Sequence, residues 1–391
     1  MTRALLVLSG VSFAGAIFAR TTDPLVPQIA ADFAVDPNRV TLLATAFALP
    51  WALMQPILGP LGDLLGKARV LTFCLVILAL SAVIGAFATS FPLLVISRVV
   101  AGMAAGGVNP VSMALVSDLV PVEQRQIAMG RVLTFNITGI LLGGAVSGVL
   151  ADFMGWRSIF FVIASVALLA AVGAGIMLRG VEGARAQGFR VATVLENYRL
   201  VLGNPRTKVC YSAVFLEGVA VFGIFPFIAL LLAASGEARA SIAGLVISAF
   251  AVGGIVYAAS VRQLVARFTR EKLMLGGGVF AAIGLIMEAA VPPWPVQVVA
   301  LAVMGFGFYM LHACIMVEMS ELAPDARGTA VAGHAFFYFI GQALGPAIYG
   351  FGFMSAGAAA TLAAAAVVMT LVGIFTGRLL RAIAQAHDPR G

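Results

Sequence analysis

Two stretches of this chain, residues 118–148 and residues 321–350, repeat one pattern. Each has an acidic residue, a Leu and a Pro, then a single Arg, and then an apolar segment with three glycines at matching positions. The offset between the copies is 202 or 203 positions. Because 61% of the chain is hydrophobic, the duplication predicts a membrane helix bundle made of two similar halves, an organisation common among secondary transporters.

Charged residues form 10% of the chain, against about 25% in an average soluble domain. The apolar stretches are long enough to cross a hydrocarbon layer of about 30 Å. They are residues 4–31, 40–61, 70–88, 91–117, 126–150, 157–178, 208–233, 241–261, 273–291, 295–317, 328–351 and 356–377. The sequence therefore predicts an all-α integral membrane protein with twelve transmembrane helices in two pseudo-symmetric six-helix bundles.

The longest polar stretch divides these spans into six and six. We expect an N-terminal bundle over 1–178, a cytoplasmic linker over 179–207, and a C-terminal bundle with a short cytoplasmic tail over 208–391. Within the linker, Thr193-Val-Leu-Glu196 is typical of a helix start, because the two side chains can cap each other's backbone N–H groups. A short surface helix is predicted there.

The net charge of +7 follows from topology. Most of the Lys and Arg fall at the N-terminus, in alternate loops and at the C-terminus, the bias that marks cytoplasmic segments. We therefore expect a multi-pass protein of the inner (cytoplasmic) membrane with both termini in the cytoplasm. The lipid bilayer accounts for the composition, and no nucleic-acid partner is needed.

The sequence lacks the residue patterns that several other functional classes require. The three cysteines, Cys74, Cys210 and Cys314, lie singly in apolar stretches without a neighbouring His, so neither a metal nor a cofactor is expected. A phosphate-binding GxxxxGK[ST] loop, an HExxH pair and a CxxC pair are absent from the sequence, which disfavours a pump driven by ATP and a polytopic membrane enzyme. A sensor would be expected to carry an added soluble domain.

The chain between spans 2 and 3 reads Gly-Pro-Leu-Gly-Asp-Leu-Leu-Gly-Lys-Ala-Arg over residues 59–69. It resembles the loop signature of the major facilitator superfamily, although Leu64 stands where a basic residue is usual. The resemblance implies a conformational latch that holds the two halves together on the cytoplasmic side, with Asp63 at its centre. Asp63 could instead only cap its own helix. The matching residues are Gly59, Gly62, Asp63, Gly66, Lys67 and Arg69.

Two further segments are similar to motifs of that superfamily. Arg98, followed by glycines four and eight residues later, resembles its fourth-span motif, and a buried Arg should face a cavity or a partner unless it snorkels to the surface. The repeated glycine segments resemble the motif of the drug:proton antiporters, with Gly144 and Ser147 as departures; a helix-packing seam gives the same pattern. The motif residues are Gly139, Gly143, Gly148, Gly341, Gly345, Pro346 and Gly350.

Ionisable groups inside the spans are the candidates for coupling. Asp23 and Glu217 are predicted proton carriers, because an unpaired buried carboxyl favours its neutral form and a nearby cation favours the charged form. Asp23 could instead form a permanent ion pair with Arg20. Glu288 and Glu318, near span ends, are interpreted as interfacial.

Several polar residues inside the spans are expected to line a substrate cavity. Arg20 and Arg98 suit an organic anion, whereas the two carboxylates suit a cation, and the sequence does not rank these substrates. Each His could relay a proton or serve as a hydrogen-bonded packing residue. The set is Arg20, Arg98, Asn109, Asn136, His312, His334, Tyr338 and Gln342.

Taken with the resemblance, these residues predict a secondary active transporter that works by alternating access, and no enzyme. Proton-coupled efflux of a small organic compound, by antiport, is the expected function, with protons and that compound as partners and a monomer as the working form. The alternatives are a proton-coupled importer, or a uniporter of a small metabolite or organic anion.

Overall fold

The computed structural model describes residues 2–179, 191–322 and 326–386. Most of the predicted linker, residues 180–190, lies outside the described residues, as do positions 323–325 of the second repeat. Contacts divide the chain into two compact units. Unit 1 is Met1–Phe189 with Arg239–Leu245, and unit 2 is Arg190–Ala238 with Val246–Gly391.

All the regular secondary structure described in unit 1 is helical. Its helices are α1 (Thr2–Ala16), α2 (Val26–Phe33), α3 (Pro37–Leu65), α4 (Lys67–Ala86), α5 (Phe91–Leu119), α6 (Val122–Met154) and α7 (Arg157–Met177). Two short 3₁₀ turns, Ile17–Ala19 and Asp23–Leu25, separate α1 from α2. α1 and α2 therefore form one interrupted membrane span.

Unit 2 has the same make-up. Its helices are α8 (Val191–Gly203), α9 (Pro205–Phe222), α10 (Ile228–Ala234), α11 (Ala240–Arg267, of which the first turns group with unit 1), α12 (Arg270–Ala289), α13 (Trp294–Leu322) and α14 (Arg327–Ala386). α8 is the short helix predicted in the linker. α14 breaks at Gly357, whose φ of 84° and ψ of 166° are not helical.

The described residues contain 11 helical segments long and apolar enough to cross a membrane. The last of these, Gly328–Ile383, contains the final two predicted spans, which Gly357 separates. The predicted fold class, an all-α protein with about twelve membrane spans, is thereby confirmed.

Glycines allow the long helices of each unit to touch through their backbones. A Cβ at Gly102 of α5 would collide with the carbonyl oxygen of Phe47 on α3. A Cβ at Gly305 of α13 would collide in the same way with the carbonyl oxygen of Phe250 on α11. Both members of the second pair lie 203 positions after those of the first, so the duplicated halves share a helix-packing contact.

The first span of each half is interrupted at the same place. In unit 1 the interruption precedes α2 and contains Pro24; in unit 2 it precedes α10 and contains Pro226, 202 positions later. Proline lacks the N–H that would continue the helical hydrogen-bond ladder, so carbonyl groups of the preceding turn are left for other partners. Paired interruptions of this kind are a pointer to binding sites in duplicated transporters.

Candidate functional site

The interruption in unit 1 carries a buried ion pair. Arg20 and Asp23 both lie inside the interruption, and Nη1 of Arg20 donates to Oδ2 of Asp23 at 3.4 Å. The Arg20 residue is 7% exposed and Asp23 is fully buried. Arg20 and Asp23 are thus in contact, as the alternative role of Asp23 in an ion pair requires.

Arg98 of α5 joins this cluster from across the unit. Its Nη2 donates to the carbonyl oxygen of Phe18 at 2.9 Å, a carbonyl that belongs to the interrupted segment. Its guanidinium also lies 4.4 Å from the ring centroid of Phe47, within cation–π range. Arg98 is 1% exposed, so it is held inside the unit and does not snorkel to a surface.

The charges in this cluster favour an ionised Asp23. The Arg20 guanidinium contacts the carboxylate and Arg98 belongs to the same buried group, so the three side chains carry a net positive charge while Asp23 is ionised. Protonation of Asp23 would remove the negative partner of a buried ion pair, which is costly. Nε and Nη1 of Arg98 have no acceptor among the described residues, so the cluster has spare donors that suit an anionic group.

Unit 2 brings together three ionisable side chains from three helices. Oε2 of Glu217 on α9 lies 2.7 Å from Nδ1 of His312 on α13. Nε2 of His312 lies 3.4 Å from Nε2 of His334 on α14. Glu217 and His334 are buried, at 0% and 1% exposed, while the His312 side chain is 20% exposed. His312 therefore links a buried carboxylate to a second imidazole, and its own side chain is partly exposed.

The hydrogen bonds of this chain can be made in two protonation states. With His312 neutral, its Nδ1–H donates to Glu217 and its Nε2 accepts from His334. With His312 protonated, both of its nitrogens donate, and His334 accepts. The first state is negative overall when Glu217 is ionised, and the second is neutral. One added proton therefore removes a buried net charge without breaking either contact.

Aromatic side chains pack against His312. Its ring stacks on Phe308, with centroids 5.0 Å apart, and lies 5.0 Å from the ring of Tyr338. Gln342 Nε2 donates to the Tyr338 hydroxyl at 2.9 Å. Predicted cavity residues of the second half are therefore neighbours. Asn109 and Asn136 make no described polar contact with either cluster.

The loop motif forms a network of ion pairs inside unit 1. Lys67 is 7% exposed and bonds Asp63 at 2.8 Å and Asp118 at 2.6 Å, which ties the end of α3 to the end of α5. Gly66 joins α3 to α4 with φ of 96°, a conformation that favours glycine. The latch role of Asp63 concerns both halves of the protein together and stays a prediction.

The repeated glycine motif lies against the interrupted spans. A Cβ at Gly139 would lie 2.6 Å from the carbonyl oxygen of Phe13, and one at Gly143 would strike that of Ile17. Gly341 and Gly345 of α14 meet the backbone of α9 in the same way. At Gly350 the nearest atom would be 3.6 Å away, an ordinary contact.

One buried carboxyl lies near the end of a predicted span. Glu288, in the last turn of α12, is 0% exposed, so helix packing encloses it, while its interfacial depth in the membrane stays a prediction. Neither of its carboxyl oxygens has a hydrogen-bond partner among the described residues. Gln297 of α13 is also 0% exposed, and its Oε1 is likewise unpartnered. The sequence signal was an acid near a span end, which does not distinguish an exposed side chain from an enclosed one.

A duplicated bundle of apolar helices with interrupted first spans and buried charges defines a secondary-transporter architecture. The sequence profile of the Major Facilitator Superfamily matches residues 8–346 and, in a second match, 210–389. The chain belongs to the Major Facilitator Superfamily. It is a multi-pass membrane transporter, and the prediction that it is not an enzyme is confirmed by this membership.

Relatives by sequence are transporters of bacteria. The quinolone resistance protein NorA of Staphylococcus aureus is 26% identical over 333 residues, which cover 84% of each chain. A transporter of the same superfamily from Mycobacterium tuberculosis is 25% identical over 388 residues and covers 84% of this chain. The match spans 56% of that relative's length.

Solved structures share the fold. The nucleoside transporter NupG aligns with a TM-score of 0.76 at 14% identity, over 97% of this chain and 99% of that one. A bacterial homologue of the human lysosomal transporter Spinster, in an inward-facing and unoccupied conformation, aligns with a TM-score of 0.71 at 16% identity, over 98% and 95% of the chains. At these identities the likeness establishes the fold alone.

Proposed function

We propose that this protein exports a small organic compound across the inner membrane in exchange for protons, by alternating access of its two halves. The observation that carries the proposal is the Glu217–His312–His334 chain. It contains a buried carboxylate, a way to take up one proton without losing a contact, and a partly accessible member. A group that binds a proton in one state and releases it in another is what coupling requires.

Glu217 is the better carrier of the two carboxyls that the sequence singled out. Asp23 is paired with a guanidinium, which keeps its charge, whereas the ionisable partner described for Glu217 is an imidazole, a group that can be neutral or charged. We assign proton binding to Glu217 with His312, and we assign a substrate-facing or structural part to the Asp23 cluster.

The export direction rests on sequence similarity. NorA, a quinolone resistance protein, matches along most of its own length. The aromatic walls around His312 fit a planar organic compound, because aromatic rings offer large contact areas for stacking. A quinolone is therefore the first probe to test. An anionic substrate is the second candidate, favoured by the unpartnered Arg98 donors.

Proteoliposomes with an imposed pH gradient test the proposal. For antiport, an acidic lumen should drive accumulation of a fluorescent quinolone. For a proton-coupled importer, an alkaline lumen should do so, and a uniporter should respond to neither. Glu217→Gln fixes the side chain in a neutral form, so accumulation should vanish while exchange of internal for external quinolone at uniform pH survives.

Glu288→Gln is the matched control. It makes the same substitution at another fully buried carboxyl of unit 2, and it should leave gradient-driven accumulation unchanged. If Glu217→Gln still accumulates the quinolone in response to the gradient, coupling through this carboxyl is wrong. If neither gradient moves the quinolone but an organic anion accumulates, the quinolone is the wrong substrate and the Arg98 cluster becomes the binding site to test.

A further inference from the structure

Unit 2 contains a cavity whose lining residues differ from those of the Glu217–His312–His334 chain. Its volume is about 600 Å³, and it lies where α9 and α12 begin and where α13 and α14 end. These helix ends belong to the side that the charge distribution predicts to be cytoplasmic. The cavity is thus at one membrane face, and the transport proposal makes no use of it.

The lining is strongly basic. Five Lys and Arg side chains face two carboxylates, Glu271 and Glu318. Arg270 is neutralised, since it lies 2.5 Å from Glu318 and 3.1 Å from Glu321. Arg381 is paired with Glu271 at 3.0 Å, and Arg206 lies 3.8 Å from Glu318.

Two cations of the cavity have no such partner. Lys272, in the first turn of α12, and Arg378, in the last turns of α14, make no ion pair among the described residues. Both are exposed. The start of α12 adds to their field, because the N-terminal end of a helix carries a partial positive charge. An anionic group in this cavity would meet uncompensated positive charge.

The same cavity has an apolar side. Met274, Leu275, Ile374 and Leu380 contribute to its lining. Next to it, the outward faces of α12 and α14 are apolar and exposed: Leu275 is 41% exposed, Phe375 52% and Leu379 46%. In a membrane protein such faces meet lipid chains. The cavity therefore joins a basic, polar end to a surface that fits acyl chains.

We propose that this cavity binds the phosphate headgroup of an anionic phospholipid, with Lys272 and Arg378 as its principal contacts and the acyl chains along α12 and α14. A polar anion alone would use the basic end but would leave the apolar approach unused. A lipid uses both. The class of ligand is thus an anionic glycerophospholipid of the cytoplasmic leaflet.

Native mass spectrometry of the purified full-length transporter tests the site. The probes are phosphatidylglycerol and phosphatidylcholine with identical acyl chains, and inorganic phosphate. Phosphatidylglycerol should bind about 30-fold more tightly than phosphatidylcholine, since two cations at about 1 kcal/mol each contribute about 2 kcal/mol. The double variant Lys272→Gln/Arg378→Gln should lose this preference, and Lys272→Arg/Arg378→Lys should keep it.

The matched control is Arg131→Gln/Lys208→Gln, which removes the same charge from exposed positions outside the cavity. It should retain the preference, which separates a site from general attraction to an anionic headgroup. Equal binding of the two lipids to the unaltered protein would overturn the proposal, as would equal loss in both double variants. Displacement of phosphatidylglycerol by inorganic phosphate would assign the cavity to a soluble anion and reject the lipid.

Discussion

The two halves of this chain share one backbone plan and have opposite chemistry inside it. Arg20 and Asp23 in the interrupted first span correspond, 202 positions later, to Phe222 and Phe225. Those rings stack on each other with centroids 5.1 Å apart. Unit 1 thus has an ion pair where unit 2 has an aromatic pair.

The reverse holds for the Glu217–His312–His334 chain. Glu217 corresponds to Gly15, and His334 corresponds to Val132, while His312 corresponds to Asn109, 203 positions earlier. Duplication preserved the helix crossings and the interruptions, whereas the ionisable residues diverged. On the proposed mechanism, the Arg20–Asp23 pair of unit 1 keeps its charges, whereas the Glu217–His312–His334 chain of unit 2 gains and loses a proton.

The largest expected effect is on folding, at Asp23. Asp23→Asn removes the carboxylate of the buried Arg20–Asp23 ion pair, so we expect a loss of about 3–5 kcal/mol in the free energy of unfolding. Thermal unfolding in detergent measures it. Glu217→Gln, which removes a charge without stranding a cation, should cost far less. Equal losses in the two variants would remove the distinction between fixed and changing charge.

Coupling should depend on His312 more than on His334. His312→Gln separates Glu217 from the rest of the chain, so the effect of a pH gradient on substrate distribution should fall by about 5- to 150-fold, the usual size of coupling between sites. His334→Gln keeps the Glu217 contact and should reduce the effect less. Transport assays in proteoliposomes compare them. A larger effect at His334 would place the proton there instead.

The ion pairs at the helix ends of the two units should differ less in their contribution to stability. Lys67, paired with Asp118, corresponds to Arg270, paired with Glu321. Lys67 is 7% exposed and the Arg270 side chain is 43% exposed. Lys67→Met should cost about 1–3 kcal/mol, and Arg270→Met about 1 kcal/mol or less, because exposed pairs are weak and Glu318 keeps Arg206 nearby. Thermal unfolding of both variants at two salt concentrations measures the two losses of stability. A larger loss in Arg270→Met than in Lys67→Met would contradict the prediction.

The smallest effect is expected at Glu288. Glu288→Gln should change the free energy of unfolding by about 1 kcal/mol or less, because the described structure offers the carboxylate no donor and a carboxamide has nearly the same shape. Thermal unfolding and the quinolone assay together check it. A large loss of stability or of coupling would show that Glu288 is ionised and has a role that its surroundings do not explain.

Much of the architecture could be read from the sequence. The spacing of the glycines and of Pro346 predicted helix packing, and the structure places Gly139 and Gly341 against the backbone of the first span of their own unit. Repeat, apolar length and charge bias each reflect constraints that act along the chain: a span needs about twenty apolar residues, and close helix crossings need small side chains. Such patterns can be recognised in the sequence without knowledge of any tertiary contact.

The partners of the buried groups were decided only by the tertiary structure. Glu217 has no basic residue within a helical turn, yet His312, 95 positions away, bonds it. Arg98 finds its acceptor 80 positions away, in a carbonyl that the interrupted helix leaves available. An α-helix turns by about 100° per residue, so a small change in rotation or register replaces every such contact. The sequence by itself determined that charges lie inside the spans. Packing between helices determined which of them lies beside a guanidinium and which beside an imidazole.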